Sequence, residues 1–306
     1  MNTFKKILRY LFSLFLGVVV LFYLVTSAVI LTCETDLVFH PHKLDDKTPL
    51  EERPQILPAA ENIEFTSDDG LKLHGYFLQS GSFIDENTIP VLYCHGNGGN
   101  CLYSSGWFFF DLQPANDSGD RGPSKFAMLS FDYRAYGFSE GKKADLSENA
   151  VYSDARAARK WLAQKCAKSE REIILMGHSL GGGVASELAK DGTPKLILCS
   201  TFDSVPDTAQ SYCPILPAKL LMKNRFASAE KLAKLNVPIL QFHDPVDRIV
   251  PYRNGLRLHV AANEPKEFVI LNRLDHNYAP NAAMKEKIIT FLTQNHPAQG
   301  ETEKVK

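Results

Sequence analysis

The stretch EIILMGHSLGGG, residues 172–183, constrains this chain more than any other. A short apolar run, Ile173 to Met176, leads into Gly177-His178-Ser179-Leu180-Gly181, a G-x-S-x-G pentad. Two more glycines precede a helix-like run from Val184 to Lys190. The order is strand, very sharp turn, helix. At such a turn the serine backbone is strained and its hydroxyl stands clear of the sheet edge. The residues two before and two after the serine pass close together, where only glycine fits. The N–H of Leu180 then opens a helix and can face a developing oxyanion. Alone, the pentad is a weak signal. With Gly and Ser each about 7% of residues, chance produces it in roughly one chain in ten of this length. A plain turn serine is the alternative, so the argument needs partners for Ser179.

Nucleophilic serine chemistry requires a base within hydrogen-bond reach and an acid that orients that base. On a parallel sheet they follow in the order Ser, Asp or Glu, His, each on a loop at a strand's C-terminal end. A strand-like run over 237–242 ends in HDPVDRIVP at 243–251, and the last strand, 267–271, runs into Leu274-Asp275-His276-Asn277. His276 is the base candidate and Asp247 the acid candidate. Asp244 competes for the acid role because it lies nearer the strand end. The plainer alternatives are a surface carboxylate paired with Arg248 and a helix-capping histidine. After a third strand, 90–93, comes HGNGGN at 95–100. Its glycines let backbone approach a substrate oxygen, so the N–H of Asn97 is the second oxyanion candidate beside that of Leu180. His95 reads as structural, and Tyr133 and Arg134, at another strand end, as braces for neighbouring loops.

From Tyr10 to Cys33 no residue is charged, a run of about 24 that as a helix spans a hydrocarbon core of about 30 Å. A cleaved signal peptide has an apolar core of only about 7–15 residues. Here Val29-Ile30-Leu31 carries the run past the small residues Thr26-Ser27-Ala28, so an uncleaved anchor is expected. Lys5, Lys6 and Arg9 precede the run, and Glu34 and Asp36 follow it. The positive-inside rule puts the N-terminus in the cytoplasm and the bulk of the chain across the membrane.

The rest divides into a proline-containing connector at 34–59, a folded domain at 60–296 and a polar tail at 297–306, with the anchor at 1–33. In the connector, Leu37-Val38-Phe39 is expected to pack on the domain, and His40 and His42 read as loop residues. A hairpin over 62–66 and 71–79 opens the domain. Strands then alternate with helices, including one around Trp107 to Phe110 followed by a loop at 113–125. This predicts an α/β fold with a mostly parallel sheet of about eight strands flanked by helices. Residues 205–236 interrupt the alternation as a small cap, broken at Pro206, Pro214 and Pro217. Its Tyr212, Ile215, Leu216, Leu220, Leu221 and Met222 exceed what a solvated loop needs. They either pack on the domain or form the apolar rim of a shallow, open site.

Charge is balanced, Lys+Arg 34 against Asp+Glu 35, which gives no electrostatic case for nucleic acid. The 6 cysteines fit no zinc spacing. Cys94 and Cys199 read as buried core thiols, while Cys101 and Cys213 leave a disulfide open.

HGNGGN at 95–100, DYRAYGFSEG at 132–141, GHSLGG at 177–182, HDPVDRIVP at 243–251 and DHN at 275–277 together resemble the α/β-hydrolase superfamily. They look most like its Bem46-type branch, whose members carry an N-terminal anchor and a segment like ETDLVFHP. The resemblance runs from about Leu37 to Asn295. It implies Ser179 as nucleophile, Asp247 as acid and His276 as base, acting on carboxylic esters or thioesters of small-molecule or lipid acyl groups. That chemistry requires no metal and no organic cofactor. Two positions depart from the pattern. Asp244 stands where a glycine commonly follows the histidine, which keeps the acid assignment open. Asp275 stands where a glycine commonly precedes the base, which puts a second carboxylate near His276. A peptidase or amidase of the same fold, and a catalytically silent membrane-tethered binding module, are the competing functions.

Overall fold

The computed structural model describes residues 2–44, 60–80, 84–101 and 126–294. The expected helix around Trp107 to Phe110, the loop at 113–125, most of the connector and the polar tail lie outside these residues.

Helix α1 (Asn2–Val38) is long and apolar enough to cross a membrane. It does not stop at Cys33. It continues through Glu34 to Val38, because its end has tertiary partners. The Glu34 carboxylate accepts the N–H groups of Lys223 (2.7 Å) and Asn224 (2.6 Å). Ile30, Val38 and the following Phe39 are buried, whereas Leu37 remains half-exposed. The Phe39 ring sits edge-on to Phe226, with centroids 6.1 Å apart. The chain leaves α1 into a two-residue strand, β1 (His40–Pro41).

The main sheet has eight strands. β2 (Glu61–Thr66) and β3 (Lys72–Gln79) form the expected hairpin, in antiparallel register. β4 (Ile89–Cys94) follows, then β5 (Gly98–Gly99), which pairs with β1 outside the main sheet. β6 (Phe126–Phe131) leads by way of α2 (Glu148–Lys165) to β7 (Ile174–His178). Then come α3 (Leu180–Leu188), β8 (Leu196–Cys199), and the cap helices α4 (Val205–Tyr212), α5 (Ala218–Leu221) and α6 (Ser228–Leu232). β9 (Ile239–His243), α7 (Tyr252–Ala261), β10 (Lys266–Ile270) and α8 (Ala282–Thr293) complete the chain order. The strand order is β10-β9-β8-β7-β4-β6-β3-β2. Pairings from β4 and β6 to β10 are parallel, and β3 meets both β2 and β6 antiparallel.

Strands covered on both faces must be apolar on both faces. Leu92, Leu129, Leu175 and Leu198 pack into one core, on the side of α2 and α3. Tyr93, Met128, Met176 and Ile197 pack into a second core, closed by Met284, Ile288 and Phe291 of α8. Ser147 starts α2 by accepting the Ala150 N–H, and the helix buries Val151, Ala155, Ala158 and Leu162 at helical spacing. In a sheet of this direction the C-terminal ends of β4, β7, β9 and β10 open on one edge, and the candidate residues stand there.

Candidate active site

Ser179 occupies the turn between β7 and α3 with φ +52°, in the left-handed region. A non-glycine residue held there stores strain. The flanking glycines make the turn possible. A Cβ on Gly177 would run into the Gly181 carbonyl, and one on Gly181 into the Cys94 carbonyl. The chain's closest approach is therefore to the end of β4, which begins the glycine loop. Ser179 is buried, with Thr201 Oγ1 donating to its carbonyl at 2.7 Å.

The loop after β9 delivers Asp247, whose side chain is fully buried. One carboxylate oxygen accepts the N–H groups of Ile249 (2.8 Å) and Val250 (2.7 Å). The other faces His276 Nδ1 at 2.8 Å. With Nδ1–H donating to Asp247, the His276 Nε2 lone pair is free to take a proton. Asp244 is equally buried but points elsewhere. Its oxygens accept the N–H groups of Val246 (2.9 Å) and, in a short contact, Leu274. It ties the β9 loop to the loop that carries His276.

Arg248 pairs with Asp275, not with Asp247. Its Nε donates to Asp275 at 2.6 Å and its backbone N–H at 3.0 Å. The guanidinium holds the Asp275 carboxyl below its ordinary range. Asp275 also sits at φ +61°, which explains a glycine's usual place there, since aspartate tolerates the left-handed region better than most residues.

His178 fills the variable position of the pentad. Its Nε2 donates to the His276 carbonyl at 3.0 Å, and the two rings lie 5.0 Å apart. Burial, aided by the adjacent His276, lowers its pKa to about 3, so it is a neutral donor that fixes the His276 backbone. The pentad spacing gives no signal of this, because the partner lies 98 residues away. His95 is fully buried and neutral, its pKa lowered by burial to about 4. Its Nδ1 bonds the Gly96 carbonyl at 2.7 Å. Arg134 bonds Asp154 and Asp69, and the Tyr133 hydroxyl donates to the His95 carbonyl at 3.1 Å, so both act as braces.

The glycine loop is held from a direction that the sequence did not suggest. β1 lies parallel to β5, with His40 N–H donating to the Asn97 carbonyl at 2.9 Å. Asn97 Nδ2 donates to the Val38 carbonyl at 3.2 Å, and the Tyr136 hydroxyl to the Asn97 carbonyl at 2.8 Å. The end of α1 and its exit strand thus clamp Asn97. Among the described residues no protein acceptor takes the N–H of Asn97 or of Leu180. Leu180 is the first residue of its helix, where such groups are unpaired by construction.

Ser179, His276, His178 and the glycine loop line a cavity of about 640 Å³. Ser179 and Asn97 also border a second, more apolar cavity of about 350 Å³, between the end of α1 and the cap. Among the described residues no hydrogen bond joins Ser179 to His276; such bonds are often loose before substrate binds. Of the expected apolar rim, Tyr212, Leu216 and Met222 border the smaller cavity. Leu221 packs against the core instead, and Ile215 and Leu220 lie exposed outside the cavity, because the prolines keep the cap helices too short to turn every apolar side chain inward. His74, Cys101 and Asp132 approach one another, but Asp132 accepts the Cys101 N–H at 2.7 Å and His74 bonds Asn62. Burial raises the Cys101 thiol well above its ordinary pKa, which disfavours a thiolate ligand. All six cysteines are free, so Cys101 and Cys213 form no disulfide.

Residues 91–286 match the profile of the Alpha/beta hydrolase family. An uncharacterized protein of Mycobacterium tuberculosis is 30% identical over 91% of this chain and 95% of its own length. A lysophosphatidylserine lipase of Danio rerio is 31% identical over 60% of this chain and 50% of its own length. The structure of an esterase from Pyrococcus furiosus superposes with a TM-score of 0.59, at 19% identity, over 83% of this chain and 98% of that one, which is a likeness of fold.

Proposed function

The chain belongs to the alpha/beta hydrolase family, and from that premise we propose that it is a membrane-anchored serine hydrolase of acyl esters or thioesters. Ser179 attacks the acyl carbonyl carbon while His276 Nε2 takes the hydroxyl proton. Asp247 keeps the imidazole in the required tautomer and balances its charge. The N–H groups of Asn97 and Leu180 receive the oxyanion. As the tetrahedral species collapses, His276 returns the proton to the leaving oxygen or sulfur, and an acyl-Ser179 remains. Water, deprotonated by His276, then releases the acid and restores the hydroxyl.

One observation carries this reading: the His276 Nδ1 contact to a buried Asp247, 2.8 Å long, on a loop that shares a cavity with a serine at φ +52°. That the Danio rerio relative is a lysophosphatidylserine lipase supports a lipid acyl ester as substrate. The apolar face of α1 supports the anchor, and Lys5, Lys6 and Arg9 before it support a cytoplasmic N-terminus with the domain on the other side. The proposed division is anchor, short connector, hydrolase domain from about residue 60 with its cap at 205–236, and tail.

The test is labelling of the intact protein by a fluorophosphonate, together with turnover of p-nitrophenyl acetate. Both are expected in wild type and absent in Ser179→Ala. An unlabelled wild-type protein that is folded would mean a silent member of the family. Hydrolysis of an anilide as fast as the matching ester would favour the amidase alternative.

A further inference from the structure

The nucleophile stands between two cavities of different character. The larger offers His178, His276, Asn277 and the backbone of the glycine loop. The smaller is walled on one side by Ile30, Leu37 and Val38 of α1 and on the other by Phe202, Leu216 and Met222. An anchor that were only a tether would have no side chain in the domain. Here three residues of α1 form a wall of the site.

That wall is fixed in place. Ile30 and Val38 are 3% and 5% exposed. Glu34, one turn from each, receives two backbone N–H groups from the cap. Ile30 belongs to the uncharged run that ends at Cys33, so the cavity reaches the level of the membrane segment. From Ile30 to Val38 the helix rises about 12 Å, which sets the length of wall available to an extended chain. The mouth carries half-exposed or exposed apolar side chains: Leu37 at 50%, Tyr212 at 59% and Ile249 at 49%. They are exposed at the foot of a helix whose remaining surface is itself apolar and exposed.

We infer that the smaller cavity is the acyl site, that α1 is its selectivity wall, and that the substrate is a single-acyl lipid ester drawn from the bilayer along α1. This rests on the Ser179 hydrolase reading and deepens it. Burying an alkyl chain against Ile30, Leu37 and Met222 removes its methylenes from water, and the gain grows with chain length. The larger cavity, which sets imidazole, amide and backbone groups beside Ile249, Tyr278 and Ala279, suits a hydroxylated alcohol. A second acyl chain there would strip those polar groups of water without replacing their hydrogen bonds. Among the described residues the smaller cavity is the more apolar arm at Ser179, and it takes the single chain of the proposed substrate.

The experiment uses full-length protein in detergent micelles. It measures kcat/KM for monoacylglycerols and p-nitrophenyl esters from two to sixteen acyl carbons, with diacylglycerol beside them. Leu37→Trp narrows the mouth, and Ile30→Ala widens the far wall. Leu21→Trp, exposed on α1 far from the cavity, is the control. Wild type is expected to favour long monoacyl over acetyl esters and to neglect diacylglycerol. In Leu37→Trp the dodecanoyl-to-acetyl ratio is expected to fall at least tenfold, the effect of about two methylenes returned to water. In Ile30→Ala the optimum moves to longer chains, and in Leu21→Trp the ratio stays at the wild-type value. Fluorophosphonate labelling of each variant reports an intact site. Labelled, acetyl-active variants with unchanged chain-length profiles would overturn the role of α1 alone. Diacylglycerol turned over as fast as monoacylglycerol would overturn the single-chain site. Loss of labelling in wild type would remove the hydrolase reading itself, and this inference with it.

Discussion

At the scale of single residues, the choice between Asp244 and Asp247 illustrates what spacing alone leaves open. Both follow β9, and both are buried. Only the turn geometry decides which carboxylate meets the imidazole, and Asp247 is the one at 2.8 Å. We expect Ser179→Ala and His276→Ala each to lower kcat/KM by about three orders of magnitude or more, since the members act as a unit. Asp247→Asn is expected to lower it less than either. Asp244→Asn should scarcely change kcat but should lower the melting temperature, because it weakens the tie from Asp244 to the backbone at Leu274. Steady-state kinetics and thermal melts of the four variants separate the roles. If Asp244→Asn is the more damaging to kcat, the acid is Asp244. The chain order of the three candidates, Ser179, Asp247 and His276, is visible in the sequence because each follows an apolar run of strand length. The role of His178 is not, because its partner is a backbone carbonyl brought in by β10 from the far end of the domain.

At the scale of elements, the alternating pattern foretold the sheet because buried parallel strands are apolar throughout. Helix α1 was harder. A glutamate after a membrane run reads locally as the exit to water, yet the helix continues because Glu34 caps backbone N–H groups from the cap, about 190 residues later. A separation of 58 residues likewise hides the pairing of β1 with β5. This pairing, with the His40 N–H on the Asn97 carbonyl, positions the glycine loop. The same Asn97 carbonyl also accepts the Tyr136 hydroxyl, from the loop after β6, at 2.8 Å. Tyr136→Phe removes that bond and leaves the buried ring. The expected stability loss is about 1 kcal/mol. The expected kinetic effect is a fall in kcat of roughly tenfold with little change in KM, since a loosened oxyanion donor matters most in the transition state. Equal loss of kcat in Tyr152→Phe, whose hydroxyl bonds Glu148 outside both cavities, or a change in KM alone, would show that this hold on Asn97 does not act on the oxyanion candidates.

At the scale of the whole molecule, three buried histidines make the fold sensitive to acid. Burial lowers His178 to about 3, His95 to about 4, and His243 below its ordinary value of 6.5. The groups around them do not reverse this. Asp247 lies 3.4 Å from His243, and Asp132 faces His95, yet burial outweighs both. The folded state therefore binds fewer protons than the unfolded state between about pH 3 and the ordinary histidine value. Stability then rises with pH through that window. It is fully present above about 6.5 and is lost as pH falls toward the folded values. Carboxylates add to the loss only at lower pH: Glu187, held by Lys190 and Lys231 against the opposing effect of burial, is lowered from 4.5 to about 2. The interval from pH 6.5 to 5 is thus governed by the histidines. We expect the urea midpoint to fall steadily across it with an unchanged slope, and to fall less steeply in His95→Gln, which lacks one of the three protonations. A midpoint that is flat from pH 7 to 5 would mean that these rings are protonated without opening the fold, and that water reaches them where the packing leaves no room for it.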